Sequence, residues 1–299
     1  MNLNHLAVFH AVAEEGAVGK GAERLFVSQP AVSKQIRELE ASVGLKLFDR
    51  HPRGVRLTQA GEVLAEHARR LFAVEAEAEQ AIAELKGLSQ GSLKIGASLT
   101  IGIYLLPEIL GEYRKKYPKI GLSLEIANTR DIQQKLKENG LDIALTEGYA
   151  TEDGVGVLES EVFQYDELVA VVPAGHPLLK QTRVSVTEFC SEPFLMREVG
   201  SGTREVVERE LIHHGIVVTP TMSLGSTEAI KRGVSAGLGV AIVSRLALAA
   251  EFQNGALCEL MLTDFAVRRP LHIVRLRGKS ENRAATAFFR LLRNMVMGG

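Results

Sequence analysis

Apolar residues along the first sixty positions recur at helical intervals. Leu3, Leu6, Phe9 and Ala13 fall three or four apart, so residues 3–15 read as an amphipathic helix that Gly16 ends. A second short helix is expected at about 18–25. The run SQPAVSKQIRELEASVG then places Val32, Ile36, Leu39 and Val43 on one stripe, with Ser28 as N-cap candidate and Pro30 tolerated in the first turn. Its other face offers Gln29, Ser33, Lys34 and Arg37. The next segment, LKLFDRHPRGVRLT, reads as two short strands around an Arg/Gly/Pro turn. From Thr58 to about Ser89 there is no proline, and Gly61 is the only glycine before Gly87. A helix of that length would be ~45 Å long at 1.5 Å per residue. Leu64, Leu71, Ala78 and Leu85 are spaced by sevens along it, with Ala68, Val74 and Ile82 between them. That is the seam of a helix pair, and a helix this long seldom stays single in water, so a homodimer is expected.

After a short Gly/Ser hinge, Gly87 to Ser92, the period changes again. LKIGASL reads as a strand, LPEILGEYRKKYP as a helix, GLSLEIA as a strand, IQQKLKENG as a helix and LDIALTEG as a strand. This βαβαβ order predicts an α/β fold with a mainly parallel sheet covered by helices. A second set runs from DELVAVVP through FLMREVGSGTREVVERELIHHG and TMSLGSTEAIKRGVSAG to GVAIVS. The last strand, PLHIVRLRG, and helix, ENRAATAFFRLLRNM, are expected to return to the first set.

Composition narrows the class. At 299 residues, two or three units are expected. Hydrophobic residues at 46% and charged residues at 24% describe a soluble globular protein, and no apolar run approaches the ~18–20 residues of a membrane span. The first sixteen residues lack a basic start and an unbroken apolar stretch, so the protein is expected to be cytoplasmic, with no membrane partner. Cys190 and Cys258 lie far apart, outside any CxxC spacing, and read as reduced, partly buried thiols. No metal or cofactor is implied.

The net charge of −1 makes no case for nucleic acid, but its distribution does. Between Lys34 and Arg56 basic groups outnumber acidic ones six to three. Two helices joined by a tight turn, the later one carrying amide, hydroxyl and basic groups near its start, suit a recognition helix in a major groove. A solvated face on a helical hairpin would share that spacing. The two-stranded wing shifts the balance, because Arg50, Arg53 and Arg56 could straddle the adjacent phosphate backbone. Candidate duplex-DNA contacts are therefore Ser28, Gln29, Pro30, Ser33, Lys34, Arg37, Arg50, Arg53 and Arg56. Gln and Arg pair with base edges, whereas Ser and Lys reach phosphates.

In open α/β sheets, ligands collect beyond the C-terminal strand ends, where helix N-termini present free N–H groups. Three such junctions carry hydroxyls: Ser98 and Thr100, Ser201 and Thr203, and Ser226 and Thr227. With Arg204 as a fixed positive charge, this set suits a small anion. Ordinary helix capping is the alternative at any single junction.

The run AERLFVSQPAVSKQIRELEASVGLKLFDR, followed by a basic wing, LTQAG and the long helix, resembles the LysR-type transcriptional regulators over the whole chain. The resemblance implies a winged helix-turn-helix at 1–58, a linker and dimerisation helix with hinge at 59–90, and an effector domain at 91–299. That domain would look like a periplasmic binding protein, its subdomains being 91–161 with 267–299, and 162–266. The segments ASLTIGIYLLP, TEG and REVGSGTRE look most like regulators of sulfur assimilation and carbon-fixation operons. They imply a small anionic effector, a sulfur oxyanion or a phosphorylated or carboxylated metabolite, at Ser98, Thr100, Glu147, Ser201, Thr203 and Arg204. A buried Glu147 carboxylate would repel an anion unless protonated or paired; it could instead fix Arg204 or cap a helix. Operator DNA, a second copy of the chain in a dimer or tetramer, and RNA polymerase are the partners such a role admits. The stretch AVGKGAERL departs from the pattern at Ala17, Gly19 and Gly21, and two interior glycines could weaken the second helix by ~1 kcal/mol each.

Enzyme constellations are missing. HExxH and a zinc-type Cys/His set do not occur, and His213-His214 reads as a solvated pair at a helix end. Gly19-Lys20 sits near a P-loop pattern, but Glu14 holds the first glycine position and Gly21 replaces the hydroxyl. The expected protein is a ligand-controlled regulator of transcription and not an enzyme.

Overall fold

A computed structural model describes residues 1–51, 54–84, 91–148, 157–278 and 283–297. The chain divides into two compact units, Met1–Ile82 with Glu138–Gly140, and Ala83–Lys137 with Leu141–Gly299.

In the first unit, α1 (Leu3–Glu15) is capped by the Asn2 side chain, which accepts from the Asn4 N–H at 2.8 Å, and ends at Gly16 in the left-handed region. α2 (Val18–Arg24) and α3 (Gln29–Val43) follow, then the antiparallel hairpin of β1 (Phe48–His51) and β2 (Gly54–Leu57), and α4 (Gln59–Glu84). Helix α1 buries two stripes. Leu6 and Phe9 pack with Leu39, Leu47, Ala65 and Ala68, whereas Val8 and Val12 pack with Ala22, Val32 and Ile36. Two expected stripe members differ. Leu3 and Val43 are exposed because they sit on the end turns of their helices, beyond the reach of either cluster. Buried Glu40 ties the end of α3 to the wing, accepting from the Leu47 N–H at 2.9 Å and from Lys46 Nζ at 2.6 Å.

The first turns of α4 belong to this core, which takes up Leu64, Ala65 and Ala68. Farther along, Leu71, Val74 and Ile82 are exposed on the single chain. Leu85 and most of the expected hinge, 87–90, lie outside the described residues.

The glycines of α2 behave oppositely to each other. A Cβ on Gly19 would meet nothing closer than Gln29 Oε1 at 4.0 Å, whereas one on Gly21 would lie 2.6 Å from Val12 Cγ2 and 3.1 Å from Val12 Cα. Gly21 is therefore the residue that lets α2 approach α1, not merely a weak helix former. Gly19→Ala should stabilise the protein by up to about 1 kcal/mol through helix propensity. Gly21→Ala should instead destabilise it by about 1–3 kcal/mol through overpacking. Urea denaturation of both variants checks the opposite signs.

In the second unit, β3 (Gly91–Ser98) leads through one wide turn, Ile101–Leu105, into α5 (Leu106–Lys116). Then come β4 (Ile120–Ala127), α6 (Thr129–Lys137), β5 (Ile143–Glu147) and the long β6 (Leu158–Pro173). Next are α7 (Val186–Phe189), β7 (Leu195–Arg197), α8 (Gly202–His213), β8 (Met222–Leu224), α9 (Thr227–Ser235) and β9 (Ala241–Ser244). The unit closes with α10 (Ala249–Asn254), β10 (Leu257–Leu260), β11 (Val267–Leu276) and α11 (Arg283–Met297). Strand order in the main sheet is β10-β6-β11-β5-β3-β4, with β9 also on β6.

Only the β3–β4 and β3–β5 pairings of that sheet are parallel. The sheet is thus mixed, not mainly parallel. β6 and β11 are long antiparallel neighbours, paired from Leu158↔Leu276 to Leu168↔Val267, and the chain crosses between two cores on them. One core gathers Leu93, Ile95, Ile109, Tyr113, Leu145 and Ile273 with Phe288 and Leu292 of α11, so the last helix does return to the first set. The other lobe holds two clusters, one around Phe189, Phe194 and Val207, the other around Val171, Ile230 and Val243.

Candidate functional site

The start of α3 forms the first candidate site. Ser28 is its N-cap residue by backbone geometry, and its hydroxyl makes no cap bond. Ser28, Gln29 and Pro30 are exposed, Ser33 is half-buried, and Lys34 and Arg37 are exposed one turn on. Lys34 keeps a loose 3.7 Å ion pair with Glu38. Arg56 is exposed on β2, and Arg50 lies on β1 opposite Val55. The Arg50 side chain and all of Arg53 lie outside the described residues. Arg24 bonds Glu14 at 2.5 Å and Glu15 at 3.3 Å, which pins α2 to the end of α1 behind this face.

Between the lobes of the second unit lies a buried polar cluster. β11 carries Arg269, fully buried, and β6 carries Asp166. Arg269 donates from Nε to Asp166 at 2.8 Å, from one terminal nitrogen to Thr203 Oγ1 at 2.7 Å and from the other to Thr100 Oγ1 at 3.4 Å. Thr100 and Thr203 in turn each donate to Glu147 Oε1 at 3.4 Å, and Ser98 Oγ donates to its other oxygen. Arg269 itself stands 3.8 Å from Glu147, and Ser244 donates to Asp166 at 2.9 Å. Each hydroxyl has one proton, and the directions agree: the guanidinium gives to the threonines and the threonines give to Glu147.

Four of the six expected ligand residues, Ser98, Thr100, Glu147 and Thr203, thus meet at one point, but the charge among them is Arg269. Arg204 is not brought there. Its position four residues before Glu208 on α8 directs it to that carboxylate at 2.7 Å and to the Arg197 carbonyl at 3.1 Å. Glu147 accordingly pairs with Arg269 rather than fixing Arg204. Sequence pattern contained the missing signal: in VRRPLHIV, Arg269 holds an inward position of the alternation Val267, Arg269, Leu271, Ile273. An arginine there must find buried partners.

Ser201 and Arg204 line an adjacent cavity of about 560 Å³, together with Thr129, Arg130 and Gln133 of α6. The cavity meets the cluster at the start of α8, where the Gly202 N–H donates to Thr129 Oγ1 at 3.2 Å. Here glycine is required, because a Cβ on Gly202 would lie 2.2 Å from the Glu147 carbonyl oxygen. Ser201 Oγ is buried with no hydrogen-bond partner among the described residues. The third junction is structural: Ser226 Oγ caps the Ala229 N–H at 3.1 Å, and Thr227 accepts from Arg197. Nearby, the Tyr104 hydroxyl donates to Glu228, and burial followed by that bond raises the phenol to about 12. Glu228 also pairs with buried Lys231 at 2.6 Å.

Other expectations fall on the bland side. Cys190 and Cys258 are free and half-buried, and burial lifts the Cys190 thiol to about 11, far from reactive. His213 is solvated, whereas the His214 ring bonds the Glu210 and Asp264 carbonyls at 2.8 and 2.9 Å. Among the described residues, no helix is long and apolar enough to cross a membrane.

A helix-turn-helix with a basic wing, joined to a two-lobed α/β unit with a polar cleft, defines a regulator of transcription. Residues 3–62 match the bacterial regulatory helix-turn-helix family of lysR type, and 86–296 match the LysR substrate binding domain. The chain belongs to the LysR family of transcriptional regulators, which are DNA-binding proteins and not enzymes. It is 35% identical over 294 residues to the RuBisCO operon transcriptional regulator of Allochromatium vinosum, covering 96% of this chain and 94% of that protein. It is similar to the regulatory domain of Synechocystis PCC6803 CcmR, solved in complex with 2-PG, at 30% identity and TM-score 0.64, over 69% of this chain and 98% of that one. Full-length CbnR complexed with its target DNA shares the fold at 21% identity and TM-score 0.72, over 98% of this chain and 99% of that chain.

Proposed function

We propose that this regulator is controlled by a small dianionic or trianionic metabolite, of the phosphate-and-carboxylate type, held between the lobes of residues 91–299. The observation that carries this reading is Ser201, a lining residue of the 560 Å³ cavity whose Oγ is buried and without a hydrogen-bond partner among the described residues. Arg130 and Arg204 line the same cavity, where Glu208 holds Arg204 and Glu205 also lies, and the N-terminus of α8 adds its positive dipole end. A buried hydroxyl without a partner is costly, and a ligand oxygen would complete it. The 2-PG of the CcmR regulatory domain, 2-phosphoglycolate, has this chemistry.

In this reading the subdomains 91–161 with 267–299, and 162–266, close on the ligand, and closure alters how two copies present their recognition helices. The ligand must bind the closed arrangement better than the open one. Exposed Leu71, Val74 and Ile82 on α4 supply the apolar stripe for pairing the copies. Ser28, Gln29, Pro30, Ser33, Lys34, Arg37 and Arg56 then face operator DNA in the cytoplasm, with Arg50 and Arg53 on the wing.

Calorimetric titration of the full chain with 2-phosphoglycolate, inorganic phosphate, sulfate, sulfite and small carboxylates tests the effector class. One saturable site per protomer for a phosphorylated carboxylate, tighter than for phosphate alone, is expected. No binding heat from any member of the panel would sink the proposal.

A further inference from the structure

The donor set built by Ser98, Thr100, Thr203 and Arg269 is that of an oxyanion site, and it is filled by a group of the chain itself. Three hydroxyls converge on the Glu147 carboxylate, two of them polarised by the guanidinium behind them. The charges do not require Glu147 to be there. Asp166 already neutralises Arg269 through contacts of 2.8 and 2.7 Å. Glu147, 2% exposed, is thus a second buried carboxyl group around one cation. Such a group is tolerated only while its hydrogen bonds are complete.

We infer that Glu147 is a built-in competitor: its carboxylate occupies the donor set, and an acidic group of the effector displaces it. This rests on the effector reading above and adds how the site is regulated. The cavity at Ser201 and the Glu147 cluster are separated by one residue, Gly202 at the start of α8, Ser201 and Thr203 being the near ends of each. A ligand with two acidic groups can place one at Ser201 and Arg204 and the other against Thr203, Thr100 and Ser98. Glu147 must then leave. Because Gly202 lies against the Glu147 carbonyl and Gly148 follows in the left-handed region at φ +101°, the departing side chain is coupled to the contact between β5 and α8. Competition also sets specificity: a monoanion offers the donors no more than Glu147 already does, whereas a phosphate offers more acceptor oxygens.

The test is calorimetric titration of 2-phosphoglycolate into wild type, Glu147→Gln and Glu147→Asp in the full chain. Removing the charge should tighten binding at least tenfold, and withdrawing the carboxylate by one methylene should tighten it by a smaller factor. Equal or weaker binding by a folded variant overturns the competition and leaves the effector site standing. Binding by Glu147→Gln but not by wild type supports it, and no binding by any of the three overturns both readings. Should the variants fail to fold, a crystal structure of wild type with 2-phosphoglycolate decides. The Ser98–Glu147 and Thr203–Glu147 bonds are expected to be broken, and finding them intact beside bound ligand refutes displacement.

Discussion

Replacing Arg269 by alanine is expected to destabilise the C-terminal unit by about 3–5 kcal/mol, the cost of stripping a buried ion cluster of its cation. The guanidinium is fully buried and reaches Asp166 at 2.7 Å, Thr203 at 2.7 Å and Thr100 at 3.4 Å. Without it, two buried carboxyl groups, Asp166 and Glu147, keep only the hydroxyls of Ser244, Ser98, Thr100 and Thr203 among the side-chain donors described above. Arg269→Lys would rescue little, because one ammonium cannot give the forked set of bonds that spans both lobes. Asp166→Ala added to Arg269→Ala should cost much less than the two losses summed, since the second change removes a charge that the first left unpaired. Urea denaturation of the single and double variants reads these differences. A loss below about 1 kcal/mol for Arg269→Ala would mean that the cluster is wet or able to rearrange.

A second large effect is expected at the recognition helix. Gln29 is exposed at the start of α3, beside a serine whose hydroxyl is not spent on capping. A bidentate contact to a base edge contributes about 1–3 kcal/mol of discrimination, so Gln29→Ala in both copies of a dimer should cost about 2–6 kcal/mol at the preferred operator. The loss should be confined to particular base positions, with the salt dependence of binding unchanged. Arg56→Ala should do the reverse, weakening all duplexes alike and lowering the salt slope by about 1 per half-site. Gel shifts over a panel of single-base operator variants at several salt concentrations separate the two. A uniform loss for Gln29→Ala would place that residue against the backbone instead.

Much of the N-terminal unit was legible because its signals are local. Helices α1 and α3 carry end signals that are neighbours in the chain, Gly16 after one and Ser28 before the other. The wing was legible from an arginine-rich turn between two short apolar runs. Gly21 was not, because its role depends on Val12 of another helix pressing within 3.1 Å of an absent Cβ. In the C-terminal unit the strands and helices stood out by period. Their pairing did not, since β6 and β11 join antiparallel across about a hundred residues.

By itself, then, the sequence determined the family, the helix-turn-helix with its wing, the order of α/β elements and the hydroxyl-bearing helix starts. Those features are written in spacings of a few residues, where propensity and capping act. Only the tertiary structure decided which charge meets the hydroxyls of Thr100 and Thr203. Arg204, adjacent in sequence to Thr203, is taken by Glu208 one turn along its own helix. Arg269, 66 residues away, is delivered to Thr203 by a strand whose inward face is buried. The local alternation of β11 shows that Arg269 is buried, but its counter-ions Asp166 and Glu147 come from strands far apart in the chain and meet it only in three dimensions.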